Sequence, residues 1–251
     1  MSGHSKWATI HRQKEITDAK RGAVWTKITN AIIVAVRETG IGDPDSNFKL
    51  RMAIDKGRAA NMPNENVKRA IEKGLGAGGS GEQWEEITYE GFGPHGVAVM
   101  AEVTTDNNKR SAQEIKNYLE KSGGKLVGPG GVAFQFKRVG MIMINNPGDA
   151  EETMLKLIDL GAEDVEEAGG VIEIYTQPEN LEKVKQAVLQ AGYQVNSFEL
   201  VYKPTATVSV SNVDTAQKVL NFIEGLEELS DVQKVFSNLD IPQEVANQIA
   251  G

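Results

Sequence analysis

Cysteine is absent from this chain, and with it go disulfide staples, thiolate nucleophiles and zinc sites built on sulfur. Histidine is nearly as scarce. His4 and His11 sit in a segment without helical or strand period, so they offer no metal-ligand spacing, and neither a metal nor a cofactor is expected. Long apolar runs are missing as well: the longest, Ala31 to Val36, falls far short of the ~20 residues a membrane span needs. The opening Met1-Ser2-Gly3-His4-Ser5-Lys6 has no signal-peptide hydrophobic region, which makes a cytoplasmic protein the expectation. Aromatics are sparse at 6%, yet 40% hydrophobic and 25% charged residues suit a globular chain and exclude collagen-like and wholly disordered classes. A length of 251 residues predicts two or three domains.

The net charge of −8 conceals a segregation. Residues 1–80 carry 14 Lys+Arg and 8 Asp+Glu, a net of +6, whereas the remaining 171 carry 13 and 27, a net of −14. Only a locally positive surface displaces counterions from phosphates, so this asymmetry points to a polyanion-binding region beside one that repels polyanions. A Lys-rich solvated helical bundle is the plain alternative.

Residues 1–20 read as a basic arm, and a helical bundle is expected over 21–80. Apolar positions at Val24/Trp25, Ile28, Ile32 and Ala35/Val36 predict a helix that begins near Asp18 and stops at Gly40. Asn47 to Asn61 repeats the period, and Pro63, expected at N1, opens a third helix that ends at Gly74. Five glycines in the eight residues 74–81 then make a linker. Beyond it the period changes to 2. Ile87 to Tyr89, Val97 to Val103 and Val132 to Lys137 read as strands, and Asn107 to Lys121 as a helix. Met141 to Val201 follows the order β-α-β-β-α-β of a ferredoxin-like unit. Thr207 to Val210, Val213 to Leu226 and Val232 to Phe236 form a further β-α-β without a partner of its own, best paired with the earlier Val97 to Lys137 segment. The predicted class is therefore α+β: an N-terminal three-helix bundle followed by two ferredoxin-like domains, the second (139–204) inserted into the first (81–138 plus 205–251).

Gly74-Leu75-Gly76-Ala77-Gly78-Gly79 spells G-x-G-x-x-G, but it follows a helix and precedes a strand, the inverse of the order that sets backbone N–H groups on a pyrophosphate. It reads as linker. Glu85-Glu86, Glu166-Glu167 and Glu227-Glu228 are adjacent pairs whose carboxylates diverge on strand or helix, and they read as solvated acid. His95, in a Gly-Pro-His-Gly turn, has no Ser or Cys neighbour to activate; no catalytic residue is expected, and an enzyme with His95 as base is kept as a third alternative. In the arm and first helix, Lys6, Arg12, Lys14, Lys20, Arg21 and Lys27 can neutralise phosphates, while Trp7 can stack on an unpaired base, with His4, Ser5 and His11 beside it. The other reading of Trp7 is that it and Ile10 pin the arm to the bundle.

Gly3-His4-Ser5-Lys6-Trp7-Ala8, Asp18-Ala19-Lys20-Arg21-Gly22, Ala53-Ile54-Asp55-Lys56, Ala59-Ala60-Asn61-Met62-Pro63, Tyr89-Glu90-Gly91-Phe92-Gly93-Pro94 and Gly130-Gly131-Val132-Ala133-Phe134 together resemble the YebC family of probable transcriptional regulatory proteins, which includes the mitochondrial translational activator of cytochrome oxidase subunit I. The resemblance runs the length of the chain. It implies a cytoplasmic, three-domain, non-enzymatic protein that binds nucleic acid, either as a DNA-binding transcriptional regulator or, in the alternative, as a factor on ribosomal RNA that assists translation. A ribosomal or transcription-machinery protein is a candidate partner for the acidic domains; no membrane is expected. Three departures stand out. Ile10-His11-Arg12-Gln13-Lys14 is one residue shorter and one charge lighter than the usual string, His95 replaces a turn glycine, and Trp25 stands where Phe is common. No base-reading helix-turn-helix is evident.

Overall fold

A computed structural model describes residues 18–76, 84–168 and 170–250, the side chains of 18–21, 168 and 250 excepted. Three helices come first: α1 (Asp18–Thr39), α2 (Phe48–Ala59) and α3 (Asn64–Gly74). There follow β1 (Glu85–Phe92), β2 (Ala98–Thr105), α4 (Asn108–Lys121), β3 (Lys125–Val127), β4 (Phe136–Asn145), α5 (Ala150–Asp159), β5 (Asp164–Ala168), β6 (Val171–Thr176), α6 (Leu181–Gln190) and β7 (Val195–Pro204). The chain closes with β8 (Val208–Ser209), α7 (Val213–Glu227), β9 (Val232–Ser237), β10 (Leu239–Asp240) and α8 (Gln243–Ala250). The described residues group into two compact units, one of 18–132 with Val219–Val235 and one of Ala133–Lys218 with 236–250.

Helix α1 begins inside the span expected as arm and ends where Gly40, at φ +69°, turns the chain out of the helix. Asn47 then fixes the next start. Its side chain accepts from the Leu50 N–H and donates to the carbonyls of Ala35 and Ile41, so one buried amide caps α2 and ties it to the end of α1. Such a cap contributes about 1 kcal/mol. Pro63 is the N-cap of α3 and not its first residue, because its ψ of 137° is extended. Ile28, Ile32 and Val36 of α1 pack with Leu50, Ala53 and Ile54 of α2 and Val67 and Ala70 of α3 in one core, each fully buried aliphatic contributing roughly 1.5–3 kcal/mol.

The two four-stranded sheets differ in strand order. Strands β4 to β7 lie in the order β5-β6-β4-β7, all antiparallel, which is the ferredoxin-like arrangement read from the sequence. The other sheet has the order β3-β1-β2-β9, with α4 and α7 as its helices, and the first sheet is inserted between β3 and β9.

The strand assignments of the split sheet need correction. Its third strand is Lys125–Val127, not Val132 to Lys137: Ala133–Gln135 is a short 3-10 turn, and Phe136 and Lys137 already pair with Pro204 and Lys203 in the inserted sheet. Thr207 to Val210 does not join it either. Val208 and Ser209 make a two-strand parallel ladder with Leu239 and Asp240. Only β9 closes the split sheet, against β2.

Polar contacts hold that closure. The Asp231 carboxylate accepts from Ser111 Oγ at 2.6 Å, Arg110 at 2.9 Å and Thr105 Oγ1 at 3.0 Å, while the Thr104 N–H donates to the Asp231 carbonyl. Tyr118 of α4 donates to the Phe222 carbonyl of α7 at 2.7 Å, and Gly225 leaves the space that the phenol occupies.

Candidate nucleic-acid interface

Of the ten residues expected to meet nucleic acid, His4, Ser5, Lys6, Trp7, His11, Arg12 and Lys14 lie outside the described residues. Lys20 and Arg21 stand in the first turn of α1, with their side chains outside the description.

Lys27 is placed differently from the expectation. Its ammonium is half-buried and donates to the Glu227 carbonyl at the C-terminus of α7, so it ties α1 to the split sheet's helix. Burial lowers its pKa, with Glu227 and Glu228 pulling in the opposite direction. Helical period alone could not show this, since the partner lies 200 residues away.

Other cations of the bundle are presented outward. Arg58 on α2 is 72% exposed and pairs with Asp55 at 3.0 Å; Lys68 on α3 is 70% exposed and sits 3.8 Å from Glu65. Arg69 and Lys56 are exposed too. Exposed pairs of this kind are worth about 0–1 kcal/mol, so a phosphate displaces the carboxylate at little cost. Helical period makes these residues legible as the outward complements of Ala53, Ile54, Val67 and Ala70.

The turn that joins α2 to α3 contains Ala59-Ala60-Asn61-Met62-Pro63. Asn61 takes φ +52°, Met62 is buried, its N–H donates to the Gly57 carbonyl at 2.8 Å, and the Trp25 indole donates to the Ala60 carbonyl at 3.0 Å. A Phe at position 25 could not make that last bond. The turn therefore follows Arg58 at the end of α2 and precedes Lys68 and Arg69 on α3, its own geometry fixed by packing.

Two further strings meet each other. Glu90 of β1 is buried, and its carboxylate accepts from the N–H groups of Gly130 at 2.7 Å and Val132 at 2.8 Å, so Tyr89 to Pro94 clasps the glycine loop that follows β3. Gly93 of the same string leaves room for the Phe222 ring. These are structural roles. His95 is exposed on a turn at φ +59°.

The acidic pairs divide in the same way. Glu86 and Glu38 hold Lys49, whose burial is outweighed by the two carboxylates so that its pKa rises, and Glu166 with Asp164 holds Lys203 at 2.7 Å from each. Glu85, Glu86, Glu167 and Glu228 are exposed, as solvated acid would be, whereas Glu166 is partly buried against Lys203. Among the described residues no helix is long and apolar enough to cross a membrane.

Comparison with known proteins covers nearly the whole chain. Residues 5–77 match the model of the TACO1/YebC protein N-terminal domain, and residues 84–239 match that of the TACO1/YebC second and third domain. A probable transcriptional regulatory protein of Rubrobacter xylanophilus is 46% identical over 100% of both chains, and one of Syntrophomonas wolfei is 46% identical over 98% of both. The crystal structure of a conserved hypothetical protein from Aquifex aeolicus superposes with a TM-score of 0.81 at 41% identity, covering 92% of this chain and 98% of that one.

Proposed function

The chain belongs to the TACO1/YebC family, and from that premise we propose that it is a nucleic-acid-binding regulator of gene expression that acts on DNA in the control of transcription, without catalysing a reaction. The observation that carries the reading is the charge segregation: +6 over residues 1–80 against −14 over the rest. The relatives named as probable transcriptional regulatory proteins support the regulatory role. In this reading Lys6, Arg12, Lys14, Lys20 and Arg21 take phosphates from the arm and the start of α1, Trp7 stacks, and exposed Arg58, Lys68 and Arg69 extend the positive surface. Lys27 is left out because its ammonium is committed to Glu227. The sheets then present acid that keeps the polyanion at the N-terminal region.

Crosslinking the protein in cells and sequencing the nucleic acid recovered with it tests the proposal. Discrete promoter DNA is the expected product. Ribosomal RNA would replace the transcriptional reading with a translational one, and recovery of neither would remove nucleic acid as the ligand.

A further inference from the structure

Helix α5 carries two apolar stripes where a core needs one. Thr153 and Leu157 are buried, with Ala150 and Met154 half-buried, and together they make the i, i+3, i+4, i+7 face that packs inward. Leu155 and Ile158 lie off that face. Three residues apart, they are neighbours on the helix surface and are 70% and 44% exposed. Their surroundings are acidic. Glu151, Glu152 and Asp159 stand four and three residues before Leu155 and four after it, all exposed, and the single cation among them, Lys156, is tied to Glu152 at 2.6 Å.

We propose that this surface docks a cationic amphipathic helix of a partner protein. Leu155 and Ile158 enter the partner's apolar stripe, and Glu151, Glu152 and Asp159 receive Lys or Arg from its flanks. The acid rim selects the class of occupant: it rejects nucleic acid and anionic membrane, and an apolar helix without cations would leave the Glu151 and Asp159 carboxylates partly desolvated and unpaired. The inference does not depend on the N-terminal region binding nucleic acid.

The probe is a fluorescein-labelled Leu/Lys peptide of about five turns with Leu at the i, i+3, i+4, i+7 spacing, titrated by anisotropy against the full chain. Its control is a scrambled peptide of the same composition, which has the charge but no stripe. The amphipathic peptide is expected to bind about tenfold or more tightly than the scrambled one. Leu155→Ser with Ile158→Ser should weaken it about tenfold or more, whereas Phe134→Ser, at another exposed apolar residue, should not. Glu151→Gln, Glu152→Gln and Asp159→Asn together should flatten the salt dependence. All the changed positions are exposed, so an unchanged melting temperature is expected and is measured. Equal binding of the two peptides, or an unaltered Kd in the double Ser variant, overturns the proposal. So does a wild-type dimer in sedimentation that the double Ser variant abolishes, because the occupant would then be a second copy of this chain.

Discussion

Cations in the N-terminal bundle and cations in the two sheets are used differently. Lys203 lies between Asp164 and Glu166 and over the Tyr175 ring at 3.7 Å, and Arg110 spans Asp106 and Asp231, so these charges brace strands and helix starts. Arg58 and Lys68 have one exposed carboxylate each. The lesson is that a count of Lys and Arg measures polyanion affinity only after the braced ones are subtracted, and Lys27 shows that the subtraction applies inside the bundle too.

The strongest way to break this contrast is to remove the arm charges. If Lys6, Arg12, Lys14, Lys20 and Arg21 each meet a phosphate, log K should fall with log salt at a slope of about −4.5 on duplex DNA, a loss on the order of 500-fold between roughly 50 and 200 mM. Changing all five to Gln should remove about 4.5 units of slope and leave only what Arg58, Lys68 and Arg69 contribute; a slope that stays near its wild-type value would move the interface elsewhere.

Next in size is Asp231→Ala, which removes the buried acceptor shared by Ser111, Thr105 and Arg110 and should cost about 2–4 kcal/mol in denaturant unfolding while leaving the salt slope alone. The pH dependence has a defined sign. Burial pushes the Asp231 carboxyl up, but the hydrogen bonds from Ser111, Arg110 and Thr105 outweigh it and hold the pKa below the ordinary value. A depressed carboxylate stabilises the fold fully above about pH 4 and loses that contribution as pH falls through the folded value. Asp231→Asn should therefore make the acid limb of the stability curve shallower.

Lys27→Ala should cost about 1 kcal/mol, since the Glu227 carbonyl loses a donor and the packed stem is removed, with no change in salt slope. Lys27→Met keeps the stem and sheds a charge that burial disfavours, so its melting temperature should lie closer to wild type. A fall in salt slope in either variant would return Lys27 to the interface.

The smallest effects sharpen the contrast at the bundle surface. Arg58→Ala and Lys68→Ala should each change stability by less than about 0.5 kcal/mol. If α2 and α3 face the phosphates, each should also lower the salt slope by a little under one unit. An unchanged slope confines the interface to the arm and the start of α1.

What the sequence alone determined is local. Helix α1 from Asp18 to Gly40, the Asn47 start of α2 and the β-α-β-β-α-β run from Met141 to Val201 were legible because period, cap and turn lie within a few residues of one another. The charge division was legible for the same reason, as a sum along the chain. Tertiary structure decided the rest. Lys125–Val127 is too short to show a period, Phe136 and Lys137 fit either sheet by pattern, and Thr207 to Val210 looks like any edge strand until Leu239 is beside it. Pairing, register and the fate of a lysine depend on groups brought together from distant positions, and a hydrogen bond between Lys27 and Glu227 leaves no mark on the residues around either.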